Sequence, residues 1–364
     1  MRHILPIVLA LSVGAAIGRG GEARSDESSR MPTPAPQARR DPEPATANAR
    51  CERCHEDVAR EWRASMHAQS DSDPVYRRAL AIEPLPFCRA CHAPEADSCA
   101  DAPAPLSAVG VGCVTCHVTR AGPDAATLTA GASMGIAPHS VVRDPAFATP
   151  VACAACHEFD FPEGASHGAP EQMQSTVSEL ATSPLSGTSC IDCHMPRTPT
   201  PRRPGHRSHV FAASRDTSTL RAAVRVRSER LSPSTVKLTL TPGDVGHAFP
   251  TGDLFRRLVV VAEAIGDDWT VIGEDSRELR RRFEVRTMAS GHLGRHMVGD
   301  DRVGVGAATP VTLDLGEQAR GRAIAWRLEY QRVEHPLGGD GSAAVLAGST
   351  VVTQGLIPAT LENP

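Results

Sequence analysis

Cys51-Glu-Arg-Cys54-His55 opens a pattern that returns four times: Cys88-Arg-Ala-Cys91-His92, Cys113-Val-Thr-Cys116-His117, Cys153-Ala-Ala-Cys156-His157 and Cys190-Ile-Asp-Cys193-His194. Ten of the eleven cysteines fall in these five blocks. Zinc sites use Cys-x-x-Cys units in pairs to reach four ligands, and an odd number of units, each followed by histidine, fits that badly. Thioredoxin-like redox pairs do not recur five times without alternating strands and helices, and a disulfide framework scatters its cysteines. Two thiols at this spacing can instead add to the two vinyl groups of one haem, while the adjacent histidine reaches the iron. The spacing predicts five covalent haems c. Cys51, Cys54, Cys88, Cys91, Cys113, Cys116, Cys153, Cys156, Cys190 and Cys193 are the attachment points, and His55, His92, His117, His157 and His194 the proximal ligands.

Residues 51–215 then carry one haem per 33 residues, too few to wrap each macrocycle in its own core. The haems must pack against one another and supply the interior. Aromatic residues make up only 4% of the chain, as such an interior would allow. Close haem packing is also what an electron relay needs. Cys99 stands outside the motifs and is expected to be a small buried residue without a role.

A haem with two histidines favours electron transfer over chemistry at the iron. Val58, Trp62 and Met66 recur at helical spacing, so a helix is expected over 56–67. Such a helix rises about 18 Å, so His67 cannot share an iron with His55 and should cap a different haem. His139, in a Gly/Pro-containing loop, and His209, after a basic Pro/Arg stretch, are the next distal candidates. His167 and His206 have weaker context.

After about residue 216 cysteines vanish and apolar residues alternate in short runs: Val224/Val226, Val236/Leu238/Leu240, Val311/Leu313/Leu315 and Ile324/Trp326/Leu328/Tyr330. Leu258–Ala262 is continuously apolar and reads as a more deeply buried strand. Period-two runs separated by Gly, Asp and Pro predict an antiparallel β-sandwich, immunoglobulin-like in architecture. The expected fold is therefore multidomain α+β, a helical and irregular multihaem module at 50–215 followed by the sandwich at 216–364. Within the latter, Gly246-His247-Ala-Phe249-Pro250-Thr251-Gly252-Asp253 is a stiff turn able to aim His247 across the boundary at a haem. His292, His296 and His335 read as loop residues.

Cys51–His55 with Trp62, Ser65 and His67 resembles the opening of multihaem cytochromes related to the electron acceptor of hydroxylamine oxidoreductase, the cytochrome c-554 type. Gly110-Val-Gly-Cys113 to His117, Gln174-Ser-Thr176, Cys193-His194-Met-Pro196 and Ser208-His209-Val-Phe211 are similar to later blocks of that family. The resemblance implies distal histidines from the segments of His67, His139 and His209, and a haem-capping His247 from a following β domain. That family commonly carries four haems in this region, so the fifth is a departure.

Residues 4–17 are an apolar run behind Arg2 and His3, right for a secretory signal ending near residue 20 and too short to span a bilayer. Residues 21–49, rich in Pro, Arg and Ser, read as a flexible linker. An exported protein, periplasmic or extracellular, with no membrane span in the mature chain is the expectation. The net charge of −4 offers no field to recruit nucleic acid. Residues 51–215 carry 13 basic and 18 acidic groups, so redox partner proteins with basic patches are expected, either other cytochromes or a membrane quinol-oxidising complex.

The favoured reading is an electron carrier without substrate chemistry. The alternative is an oxidoreductase acting on a small nitrogen or sulfur compound at a five-coordinate haem. The only lysine, Lys237, lies in the β region, and neither Tyr76 nor Tyr330 has a context suggesting catalysis. Spare histidines also permit a third reading, an oligomer in the form of an extracellular haem polymer.

Overall fold

The computed structural model describes residues 43–82, 84–120, 126–131, 138–160, 172–198, 205–287, 293–335 and 344–359. The expected signal segment, most of the linker, His167 and His292 lie outside them. The first half is a succession of short helices. In order they are α1 (Pro44–Cys54), α2 (Glu56–Ala64), α3 (Pro74–Ile82), α4 (Pro86–His92), α5 (Ala104–Ser107) and α6 (Cys113–His117). Three small strands follow, β1 (Val118–Arg120), β2 (Ala126–Ala130) and β3 (Val142–Arg143), then α7 (Val151–His157), β4 (Glu158–Asp160), β5 (Gln172–Ser175), α8 (Thr176–Thr182), α9 (Cys190–His194) and α10 (Thr217–Ala222). Every cysteine motif occupies the end of one of these helices, with its histidine as the last residue or, for His55, the cap. One helical turn brings residues three apart onto the same face, so both thiols of a motif look the same way.

Two expectations need correction. The helix predicted over 56–67 stops at Ala64. The Ser65 hydroxyl accepts from the Ala68 N–H, a local bond that competes with helix continuation, and His67 sits in the turn beyond. Conversely, α1 begins at Pro44, inside the stretch read as linker, and its Asn48 is fully buried. The Asn48 side chain accepts from the Cys113 N–H at 2.7 Å and so joins α1 to the start of α6.

The second half is antiparallel β structure: β6 (Val224–Arg230), β7 (Thr235–Pro242), β8 (Arg257–Ile265), β9 (Val271–Leu279), β10 (Arg281–Thr287), β11 (Leu293–Asp300), β12 (Thr309–Asp314), β13 (Ala323–His335) and β14 (Val345–Ile357). Sheets ordered β12-β7-β6 and β14-β13-β8-β9 share one apolar core, and β10 pairs with β11 separately. The alternating runs read from the sequence fall on β6, β7, β12 and β13, with Val236, Leu238, Leu240, Leu313, Ile324 and Leu328 essentially inaccessible to solvent. Each such side chain contributes roughly 1.5–3 kcal/mol by leaving water. His296 lies in β11 and His335 ends β13, so neither is the loop residue expected.

The two halves meet through polar contacts. Arg78 of α3 pairs with Glu334 of β13, and Arg332 donates to the Ser214 carbonyl at 3.2 Å. Arg281 donates to the Met173 carbonyl at 2.8 Å and to the Ser175 hydroxyl at 2.6 Å. No helix among the described residues is long and apolar enough to cross a membrane.

Candidate haem-binding site

The motif helices point their histidines at one another's neighbourhoods, and four of the five rings face a second histidine. His55 lies opposite His139 with ring centroids 6.2 Å apart, and His157 opposite His67 at 6.4 Å. His117 faces His209 at 6.4 Å, and His194 faces His247 at 6.3 Å with the rings nearly parallel. The four spacings agree within 0.2 Å although nothing local in the sequence links the partners. Two imidazoles on opposite sides of one metal, with bonds of about 2 Å, require a separation of this size once the depth of each ring is added.

In five of these histidines the other ring nitrogen bonds a backbone carbonyl. Nδ1 of His92 bonds the Ser70 carbonyl at 2.7 Å, that of His117 the Thr129 carbonyl at 2.9 Å, and that of His194 the Ala212 carbonyl at 3.0 Å. His209 and His247 bond the Arg207 and Ala248 carbonyls at 2.8 and 3.1 Å. A carbonyl can only accept, so Nδ1 donates and Nε2 keeps its lone pair for a metal. Burial also disfavours the charged form of six of the rings. It pushes His67 down to about 3 and His157 to about 4, and lowers His92, His117, His209 and His247 as well.

The distal segments are held from outside. The His67 carbonyl accepts from Val111 N–H at 2.9 Å, and Trp62 Nε1 donates to the Val111 carbonyl at 2.8 Å. Gly110, at φ +54°, is needed here, because a Cβ would stand 2.6 Å from the His67 carbonyl oxygen. Glu61 takes the His209 N–H at 2.8 Å and His206 Nε2 at 3.1 Å, which leaves His206 as a support rather than a ring facing a motif. The turn holding His247 is gripped by Glu179 of α8, which accepts from the Ala248 N–H at 3.0 Å and from Arg302 at 2.7 Å. Arg302 donates in turn to the Pro250 carbonyl.

His92 is the exception. Tyr76 stacks flat on it at 3.7 Å with an interplanar angle of 3°, too close for a metal to lie between the rings. No histidine faces His92 among the described residues. Tyr76 therefore does have a context at the site, one that a lone tyrosine in the sequence could not reveal. Tyr330 is buried beside Phe249 in the β half.

All eleven cysteines are free thiols, as attachment to haem requires of the ten in motifs. Thiols from different motifs also lie near enough to influence one another: Cys51 and Cys113, Cys91 and Cys156, and Cys153 and Cys190. Cys99 is exposed, which corrects the expectation that it is buried. Among the described residues the apolar clusters between the motifs are small, Ala47/Val114/Val118 and Trp62/Ala68/Val109. Paired thiols, facing neutral imidazoles and a thin side-chain interior all fit covalent haem.

These features define a multihaem c-type cytochrome. Residues 50–118 match the family model described as cytochrome c554 and c-prime. Its fold is similar to the crystal structure of a penta-heme cytochrome c552 from Thermochromatium tepidum, with a TM-score of 0.63 and 20% identity over 85% of this chain and 97% of that one. MtrC from Shewanella baltica OS185 aligns with a TM-score of 0.17 and 13% identity, over 57% of this chain and 32% of that one. No curated protein matches the chain.

Proposed function

We propose that the chain is an exported electron-transfer cytochrome carrying five covalent haems, four of them held by two histidines. The observation that carries this reading is the common 6.2–6.4 Å spacing of the pairs His55/His139, His157/His67, His117/His209 and His194/His247. Two imidazoles fill both axial positions, so these centres pass electrons without binding substrate. The nearness of thiols from different motifs supports an order for the relay. The first motif adjoins the third, the second adjoins the fourth, and the fourth adjoins the fifth. Cys116 lies within electrostatic reach of Cys156, which links the third motif to the fourth. The fourth haem is thus the junction, and the first, second and fifth are the three ends. The exposed Cys54 and Cys193, on the first and fifth motifs, put two of those ends at the surface.

The protein works in the periplasm or at the cell surface and exchanges electrons with other cytochromes or a quinol-oxidising complex. Residues 50–215 form the haem domain and 216–364 an immunoglobulin-like domain. In support of the latter, with β10 and β11 set aside, β6-β7-β12 and β8-β13-β14 neighbour one another as strands A-B-E and C-F-G do in that fold.

His92 favours a second reading for one centre. Its companion is Tyr76 rather than histidine, so the haem on Cys88 and Cys91 is the one open to a small ligand. Low-temperature EPR with optical spectra of the purified protein tests both readings. Four low-spin centres and one high-spin centre that shifts with cyanide or nitrite are expected. More than one high-spin signal would break the pairing scheme, and wholly low-spin iron would remove the open site.

A further inference from the structure

Residues 70–76 wrap the imidazole of His92. The Ser70 carbonyl accepts from its Nδ1 at 2.7 Å, the Ser70 hydroxyl donates to its carbonyl at 2.7 Å, and Tyr76 covers its face. Asp71, within this wrap, is completely buried, yet neither carboxylate oxygen has a hydrogen-bond partner. Nη1 of Arg77 stands 3.8 Å from its Oδ1, beyond hydrogen-bond distance, on a side chain 39% exposed. The Tyr76 hydroxyl is likewise buried and unpartnered. The contrast with Asp73 is sharp: that carboxylate caps α3 through Val75 and Tyr76 N–H and pairs with Arg215. A buried carboxylate without partners is costly unless a positive charge stands near it. The Asp71 charge acts on both His92 and Tyr76.

We propose that Asp71 is the internal counter-charge of the haem attached at Cys88 and Cys91, and that it holds this haem's reduction potential below the value it would otherwise take. A ferric haem carries one more positive charge than a ferrous haem, so a nearby buried anion favours the ferric form. Asp71 acts through the field at His92. It is a tuning residue at the end of one arm of the relay. The proposal rests on the reading that this motif carries a haem.

The test is an anaerobic redox titration, followed by EPR and optical spectra, on wild type, Asp71→Asn and Arg77→Gln. Intact mass first counts the haems. A wild type lacking a haem on the second motif ends the underlying reading itself. With five haems present, Asp71→Asn should move one midpoint to more positive potential and leave four in place. Arg77→Gln, at a partly exposed position, should move the same midpoint the other way by exposing the His92 haem to an unscreened Asp71. Unchanged potentials in either folded variant, or an equal shift of all five haems, would overturn the proposal. If Asp71→Asn fails to fold, Arg77→Gln decides alone.

Discussion

The β half and the motif half are built on opposite terms. Between its sheets the β half buries a continuous cluster that includes Leu238, Leu258, Val260, Leu313, Ile324 and Leu328, each essentially inaccessible. The motif half has more helices, but its described apolar clusters hold three buried residues each. Short helices are marginal without packing to support them. Among the described residues, the helices at 44–222 thus have small apolar clusters to pack on, whereas the strands share one large one.

The largest expected effect separates the halves outright. Chain produced where haem cannot be attached should lose protection throughout residues 43–215 under limited proteolysis, while a fragment beginning near 216 survives. Equal resistance along the whole chain would mean that side chains suffice and that the contrast is wrong. Next in size, Leu238→Ala should cost about 2–5 kcal/mol of stability in the β half by opening a cavity. Haem content and the spectra of the haems on Cys51 and Cys113 should not change, as denaturant titration beside visible spectra would show. Replacing His247 with Ala should convert one low-spin centre, the one attached at Cys190 and Cys193, and leave the others unaltered.

How far the sequence could be read follows from the same contrast. Alternation at Val236, Leu238 and Leu240 was legible because a strand with one buried face writes its burial into every second residue. The motifs were legible because haem attachment demands a fixed local spacing, but the short helices that carry them were not. Pairing was not legible: His157 and His67, or His194 and His247, are joined only by the folded shape. The same holds for Asn48, whose value lies in capping a helix that begins at Cys113, and for Glu179, which reaches Ala248 and Arg302 in the β half. Ser65 did carry a local signal, since its hydroxyl can compete with the helix that periodicity extended to His67. Tyr76 carried none.

A smaller effect tests how the two halves are joined. Glu179 holds the turn of His247 by its backbone and is itself held by Arg302, both largely buried. Glu179→Gln keeps the shape but removes the charge, leaving Arg302 with Asp300 and one acceptor fewer. A loss of about 1–3 kcal/mol is expected, in line with a weakened buried charge-assisted bond. If the turn is what aims His247, the centre attached at Cys190 should broaden or partly lose its low-spin signal while the other three histidine-paired centres keep theirs. A variant that loses stability with all four signals intact would show that the clamp joins the halves without aiming the ligand. Uniform loss of all four would mean that the motif half depends on the β half for its fold, contrary to the division drawn between them.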